Sequence, residues 1–210
     1  MKRVILVRHG ESEINAVWKE KAIFCGQIDT PLTEQGRQQA RDVGRLLSDT
    51  SQFRISRSVS STLVRAVETL ELIRQQFTAP PTLLPAMSAF NERSLGLFEG
   101  RSKDEVYREY PEYESDPAFC NFRDDYQQKA PGGENLSEVT ARAWPAMDSL
   151  IPSDASDVLI VAHCQVIRCL IAYAIKLAPD EVAGLKIPHA IPLVLTQVAM
   201  NGWKFHSEVM

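Results

Sequence analysis

The run Lys2-Arg3-Val4-Ile5-Leu6-Val7-Arg8-His9-Gly10 decides how this chain folds. Its apolar, β-branched centre is the pattern of a buried strand. The run stops at Arg8-His9-Gly10, and Gly10 is expected to let the backbone turn sharply there. A cation and an imidazole then stand at the carboxyl end of the first strand, where open α/β sheets handle ligands. The pair suits phosphoryl chemistry. A guanidinium holds an oxyanion in a planar fork, and a neutral imidazole can attack phosphorus. Taken alone, an Arg-His pair at a strand end is more often structural or solvated.

A second apolar run, Val158-Leu159-Ile160-Val161-Ala162, ends at His163. If the two runs are parallel strands of one sheet, both imidazoles emerge on the same edge. The competing assignment for His163 is a hydrogen-bonded core histidine. Strand-like and helix-like segments alternate between and around the two runs. The expected fold is therefore α/β, a largely parallel sheet with helices on both faces.

Further strands are expected at 53–59, at Leu83-Leu84, and from Leu193 to Val198 with a hairpin partner at 203–207. Residues 11–31 read as a loop. Thr33 is the expected N-cap of a helix beginning at Pro31-Leu32-Thr33-Glu34. The apolar side of that helix is assigned to Ala40, Val43, Leu46 and Leu47. Helices are also expected from Ser61 to Gln76, over 135–150 and from Val166 to Leu177. Residues 91–134 differ in texture, being rich in Glu, Asp, Arg, Tyr and Pro with short apolar patches. They read as an excursion, helical around 102–110, that covers the strand ends. No linker or repeat interrupts the chain, so one domain spanning 1–210 is expected.

The chain has 210 residues, 44% hydrophobic and 24% charged, with a net charge of -4. No long basic run is present, which argues against nucleic acid as a partner. An anionic metabolite needs only a local cluster of Arg and His. No apolar run reaches the ~18 residues of a membrane span. Cys25, Cys120, Cys164 and Cys169 have no metal-type spacing, so no metal site is expected. With no signal-like segment before the first strand, reduced thiols in a cytoplasm are the expectation.

Two more residues stand out. Arg65 falls in the first turn of its expected helix, where the dipole favours an acid. An anion bound beside it would explain it; a solvated or ion-paired arginine is the alternative. Glu92, in Asn91-Glu92-Arg93, follows an apparent strand and precedes Gly96 and Gly100. A carboxylate there can protonate a leaving oxygen, although a surface glutamate is the ordinary assignment.

The strings LVRHGES-x-x-N (6–15), PLTEQGRQQA (31–40), SSTLVRAVET (60–69), FNERSLGLFEG (90–100), PGGENL (131–136) and VAHCQVIR (161–168) together resemble the histidine phosphatase superfamily. That superfamily holds cofactor-dependent phosphoglycerate mutases, fructose-2,6-bisphosphatase domains and many phosphatases of sugar phosphates. The resemblance runs in order over residues 3–198. It implies a single α/β domain with a cap over the active site. It implies that His9 is the nucleophile that becomes a phosphohistidine. It implies that Arg8, Arg65 and His163 hold the transferring phosphoryl group, and that Glu92 is the general acid. Asn15 matches a phosphate-contacting amide and Gly26 a backbone position lining the site. Ser12 and Cys164, beside these motifs, are further candidate phosphate contacts. The neighbouring cations should keep His9 deprotonated. Glu92 must be protonated for the first half-reaction, so an apolar or anion-rich setting is expected around it.

Three departures from the family pattern bear on substrate. Residues 16–21 make the segment between Asn15 and Gly26 longer than in typical members. Cys164 stands where many members have Gly. The long insertion of typical mutases before Gly133-Glu134 is missing, and the stretch Asn121 to Lys129 offers Arg123 and Lys129 but also Asp124 and Asp125. The expected activity is hydrolysis of a small phosphomonoester, a sugar phosphate or related metabolite, with no cofactor. Phosphoglycerate mutase activity and an inactive phospho-ligand-binding module are the alternatives. A monomer or homodimer is expected.

Overall fold

The structure is a computed structural model that describes residues 2–198 and 202–207. Strand β1 (Lys2–Arg8) is the hub. It pairs in parallel with β4 (Asp157–Ala162), and β4 pairs in parallel with β2 (Ile55–Ser60). The short β3 (Thr82–Leu83) extends the parallel part beyond β2. On the other side of β1, β5 (Pro192–Val198) runs antiparallel and carries β6 (Gly202–His206) as a hairpin partner. The order is β3-β2-β4-β1-β5-β6, so the sheet is mostly parallel with one reversed strand.

Every residue of Val4–Val7 and Val158–Ala162 is fully buried. A strand buried on both faces has no polar side to show, which is why these two read as unbroken apolar runs. Side chains alternate between the faces. Val4, Leu6, Val158 and Ile160 meet α6 (Leu136–Leu150) and α7 (Cys164–Ile175) on one side. Ile5, Val7, Leu159 and Val161 meet α2 (Glu34–Asp49) and α3 (Val64–Arg74) on the other. At the amino ends of the strands, Arg3 grips the wholly buried Asp157 with two hydrogen bonds of 2.9 and 2.8 Å.

Four expectations need correction. The 11–31 segment is not all loop, because α1 (Glu13–Lys21) forms inside it. Leu46 is not part of the apolar side of α2, and is 47% exposed. It lies six residues beyond Ala40, off the stripe that Ala40, Val43 and Leu47 share at helical spacing. The 91–134 excursion is not short of a core. Its Phe98, Tyr113 and Phe122 pack ring on ring together with Phe24, and α4 (Lys103–Glu109) and α5 (Glu112–Ser115) enclose them. Finally, Gly10 does not adopt a left-handed turn. A Cβ there would lie 2.3 Å from the Gly36 carbonyl oxygen, and a Cβ on Gly36 only 2.0 Å from that of Glu11. The two glycines let the loop after β1 lie directly on the start of α2.

Thr33, the expected N-cap, accepts from the Gly36 N–H at 3.0 Å, and its own N–H donates to the Glu11 carbonyl at 2.9 Å. The loop that carries His9 is thus pinned by backbone contact. Gly36→Ala should therefore overpack this contact and cost about 1–3 kcal/mol, read as a lower urea midpoint at unchanged slope. Gly184→Ala, where an added Cβ meets nothing within 4 Å, should be close to neutral.

Candidate active site

The parallel register of β1 and β4 places Arg8 opposite Ala162, and the His9 N–H donates to the Ala162 carbonyl at 3.1 Å. His9 and His163 then leave neighbouring strand ends together. Their ring centroids are 5.0 Å apart. Both rings are buried, at 3% and 0% exposure. His163 is the residue that caps the start of α7.

The tautomer of His9 follows from its partner. Nδ1 lies 2.7 Å from the Gly10 carbonyl oxygen. A carbonyl only accepts, so Nδ1 carries the hydrogen and Nε2 keeps a lone pair. Burial, then His163, Arg65, Arg8 and His189, hold the His9 pKa well below its ordinary 6.5. The cations were expected to disfavour the charged imidazole, and burial acts in the same direction and more strongly. Burial does the same to His163, with Arg65, Arg8 and Arg142 adding to it.

Arg8 and Arg65 are tethered by backbone carbonyls. Arg8 Nη1 donates to Ile187 at 3.0 Å. Arg65 donates from Nη1 to Ile28 at 2.6 Å and from Nη2 to Gly26 at 3.1 Å. The Gly26 backbone therefore serves Arg65, and its φ of +49° suits glycine. Two buried nitrogens in this cluster, Arg8 Nε and His163 Nδ1, have no protein partner. His163 Nε2 is 2.6 Å from Ser61 Oγ.

Arg8, His9, Asn15, Gly26, Arg65, Glu92 and Cys164 line one cleft of about 380 Å³, while the wholly buried His163 does not. Ser12 does not line it. Ser12 is wholly buried, and its N–H and Oγ donate to Asn15 Oδ1 at 3.3 and 2.8 Å. That contact orients Asn15 and leaves its amide nitrogen for the cleft. Burial raises the Cys164 thiol above its ordinary range, which keeps it from being a ready thiolate.

Glu92 stands at the cleft, but its setting is neither apolar nor acidic. Its carboxylate accepts from the Arg93 N–H at 2.8 Å and, at 3.3 and 3.4 Å, from the Gln165 N–H at the start of α7. Of the bases expected in 121–129, Arg123 lines the cleft while Lys129 pairs with Glu138 at 2.6 Å away from it. Sequence reasoning passed over Gln165, Arg168 and His189. Gln165 and Arg168 also line the cleft. Arg168 sits four residues past Cys164 and three past Gln165 in α7, on the same helix face. His189 donates from Nδ1 to the His9 carbonyl at 2.9 Å, from 180 residues away.

The family model for the histidine phosphatase superfamily (branch 1) matches residues 4–208. The chain belongs to this superfamily. A 2,3-bisphosphoglycerate-dependent phosphoglycerate mutase of Nitrobacter winogradskyi is 31% identical over 91% of this chain and 89% of its own length. One from Bartonella henselae is 33% identical over 92% and 91%. Mutases of nearly the same length therefore exist, and the missing insertion does not by itself separate this histidine phosphatase from them. Among solved structures, a mycobacterial glucosyl-3-phosphoglycerate phosphatase complexed with VO3 superposes with a TM-score of 0.80 at 25% identity, covering 99% of this chain and 98% of that one. Bacillus stearothermophilus YhfR gives 0.81 at 26% identity, covering 100% and 98%. No helix among the described residues is long and apolar enough to cross a membrane.

The depressed His9 pKa has a consequence for stability. Above pH 6.5 the imidazole is neutral whether folded or not. Below it the unfolded chain takes up a proton that the folded site refuses, so stability falls with pH. Between pH 6.5 and 5.5 the unfolding free energy of the wild type should fall more steeply than that of His9→Gln. The difference should approach about 1.4 kcal/mol per pH unit, one proton's worth, measured by denaturant titration.

Proposed function

We propose that this histidine phosphatase hydrolyses a small phosphomonoester through a phosphohistidine on His9. The observation that carries the reading is the His9 tautomer, with Nδ1–H fixed on Gly10 and the Nε2 lone pair kept among Arg8, Arg65 and His163. In the first step Nε2 attacks phosphorus in line, the phosphorus–ester oxygen bond breaks, and Glu92 gives the leaving oxygen its proton. In the second, Glu92 takes a proton from water. The water oxygen attacks phosphorus, the phosphorus–nitrogen bond breaks, and the Nε2 lone pair is restored. Arg8 and Arg65 carry the charge of the transferring group, with the neutral His163 beside His9. Phosphoryl transfer asks mainly for alignment and charge stabilisation. Asn15 adds an amide donor.

A bound phosphoryl group brings negative charge among the arginines and next to Glu92, which favours the protonated carboxyl. Sugar phosphates or related metabolites are the substrate class in this reading. Likeness to a glucosyl-3-phosphoglycerate phosphatase supports it.

Mutase activity is the second reading, favoured by relatives of that name at 31% and 33% identity. A mutase must hold a second anionic group and keep water from the phosphohistidine. Here Arg168 is already matched by Asp124 at 3.1 Å, and Lys129 is spent on Glu138. That supports hydrolysis.

The two readings part on one product ratio. With 3-phosphoglycerate and a trace of 2,3-bisphosphoglycerate, release of inorganic phosphate should exceed formation of 2-phosphoglycerate. Isomerisation faster than phosphate release by about a hundredfold, roughly 2.7 kcal/mol of barrier difference, would make the mutase the correct reading.

A further inference from the structure

Beyond the groups that handle phosphorus, the cleft is lined by two unlike sets of side chains. One is apolar: Ile14 and Trp18 from α1, with Leu95. Residues four apart lie on the same face of a helix, so Ile14 and Trp18 form one surface. The other set is polar, and Asp124 ties part of it together. Asp124 accepts from Arg168 Nη1 at 3.1 Å and from Gln165 Nε2 at 3.1 Å. Arg123 lies over the Phe24 ring, 5.9 Å from its centroid.

Trp18 is 41% exposed. Folding does not use its ring in the aromatic core of the cap, which is built from Phe24, Phe98, Tyr113 and Phe122. What folding does fix is its place. The Trp18 carbonyl accepts from the Ala22 N–H at 3.0 Å, where Ala22 turns left-handed and ends the helix. The other end is held by the Ser12–Asn15 contact beside the catalytic loop. An indole held at the edge of a cleft and left half in water gains most when a flat apolar surface covers it. A second anion would instead meet Arg168 already paired with Asp124 and forfeit that gain.

We propose that Trp18, with Ile14, determines specificity by binding an apolar or ring face of the leaving alcohol. The favoured substrate is then a phosphomonoester of an alcohol that bears such a face, rather than one with a second phosphate or a carboxylate in its place. The inference rests on His9 marking the phosphoryl end of the cleft.

Phosphonates test it without turnover. Propylphosphonate and 3-phenylpropylphosphonate are methylene isosteres of ethyl phosphate and 2-phenylethyl phosphate, and calorimetry gives their affinities for the full chain. The wild type should bind the phenyl compound about tenfold tighter, about 1.4 kcal/mol. Trp18→Ala should bring the ratio to within about twofold, and Trp18→Phe should keep most of it. Equal affinities in the wild type would overturn the proposal. So would a Trp18→Ala variant that weakens both ligands in the same proportion, since the indole would then be supporting α1 only. Tighter binding of 4-phosphonobutyrate, which replaces the ring with a carboxylate, would overturn it as well. Because neither phosphonate reacts, a failure to form phosphohistidine would sink the proposed function and leave this readout intact.

Discussion

The parallel ladder between β1 and β4 is the constraint on which the site depends. It sets Arg8 opposite Ala162 and ties the His9 N–H to the Ala162 carbonyl. One residue of slip would send every side chain of β1 to the other face of the sheet. Val4 and Leu6 would then leave the core they share with α6 and α7, and His9 would no longer lie 5.0 Å from His163. The hydrophobic sorting of two fully buried strands therefore fixes the spacing of two imidazoles.

Once that spacing is set, burial determines the chemistry. Two imidazoles and two guanidiniums crowd one strand edge, and removing them from water makes an imidazolium expensive. The cheapest state has both histidines neutral. For His9 this is the nucleophilic state, with its lone pair directed to Nε2 by the Gly10 carbonyl. The guanidiniums are held in place by the backbone carbonyls of Ile187, Ile28 and Gly26. Such a site favours an incoming phosphoryl anion, which supplies the charge its arginines lack.

Much of this was legible in the sequence because it is local or periodic. Strands buried on both faces leave apolar runs, and β1 and β4 were read from theirs. The Thr33 cap was read from its position before Glu34. The parts that escaped have no such period. Ile14 and Trp18 of α1 line the cleft rather than the core; the helix's signal was the Ser12-x-x-Asn15 cap and the absence of Gly and Pro after it. The rings of the cap come from Phe24 and from residues near 98, 113 and 122, and only tertiary packing joins them. Gly10 was read as a turn residue; its contact with Gly36 crosses from one element to another and left no local mark. His189 reaches His9 across 180 residues and leaves no local mark.

The central claim is that phosphorus is transferred through His9 Nε2. It is tested most directly by quenching the enzyme during turnover of a phosphomonoester and mapping phosphate onto peptides under alkaline conditions, where phosphohistidine survives. The account predicts acid-labile phosphate on the peptide carrying His9, and neither phosphate nor turnover in a folded His9→Ala variant. Phosphate found on His163 instead, or full activity in His9→Ala, would contradict it.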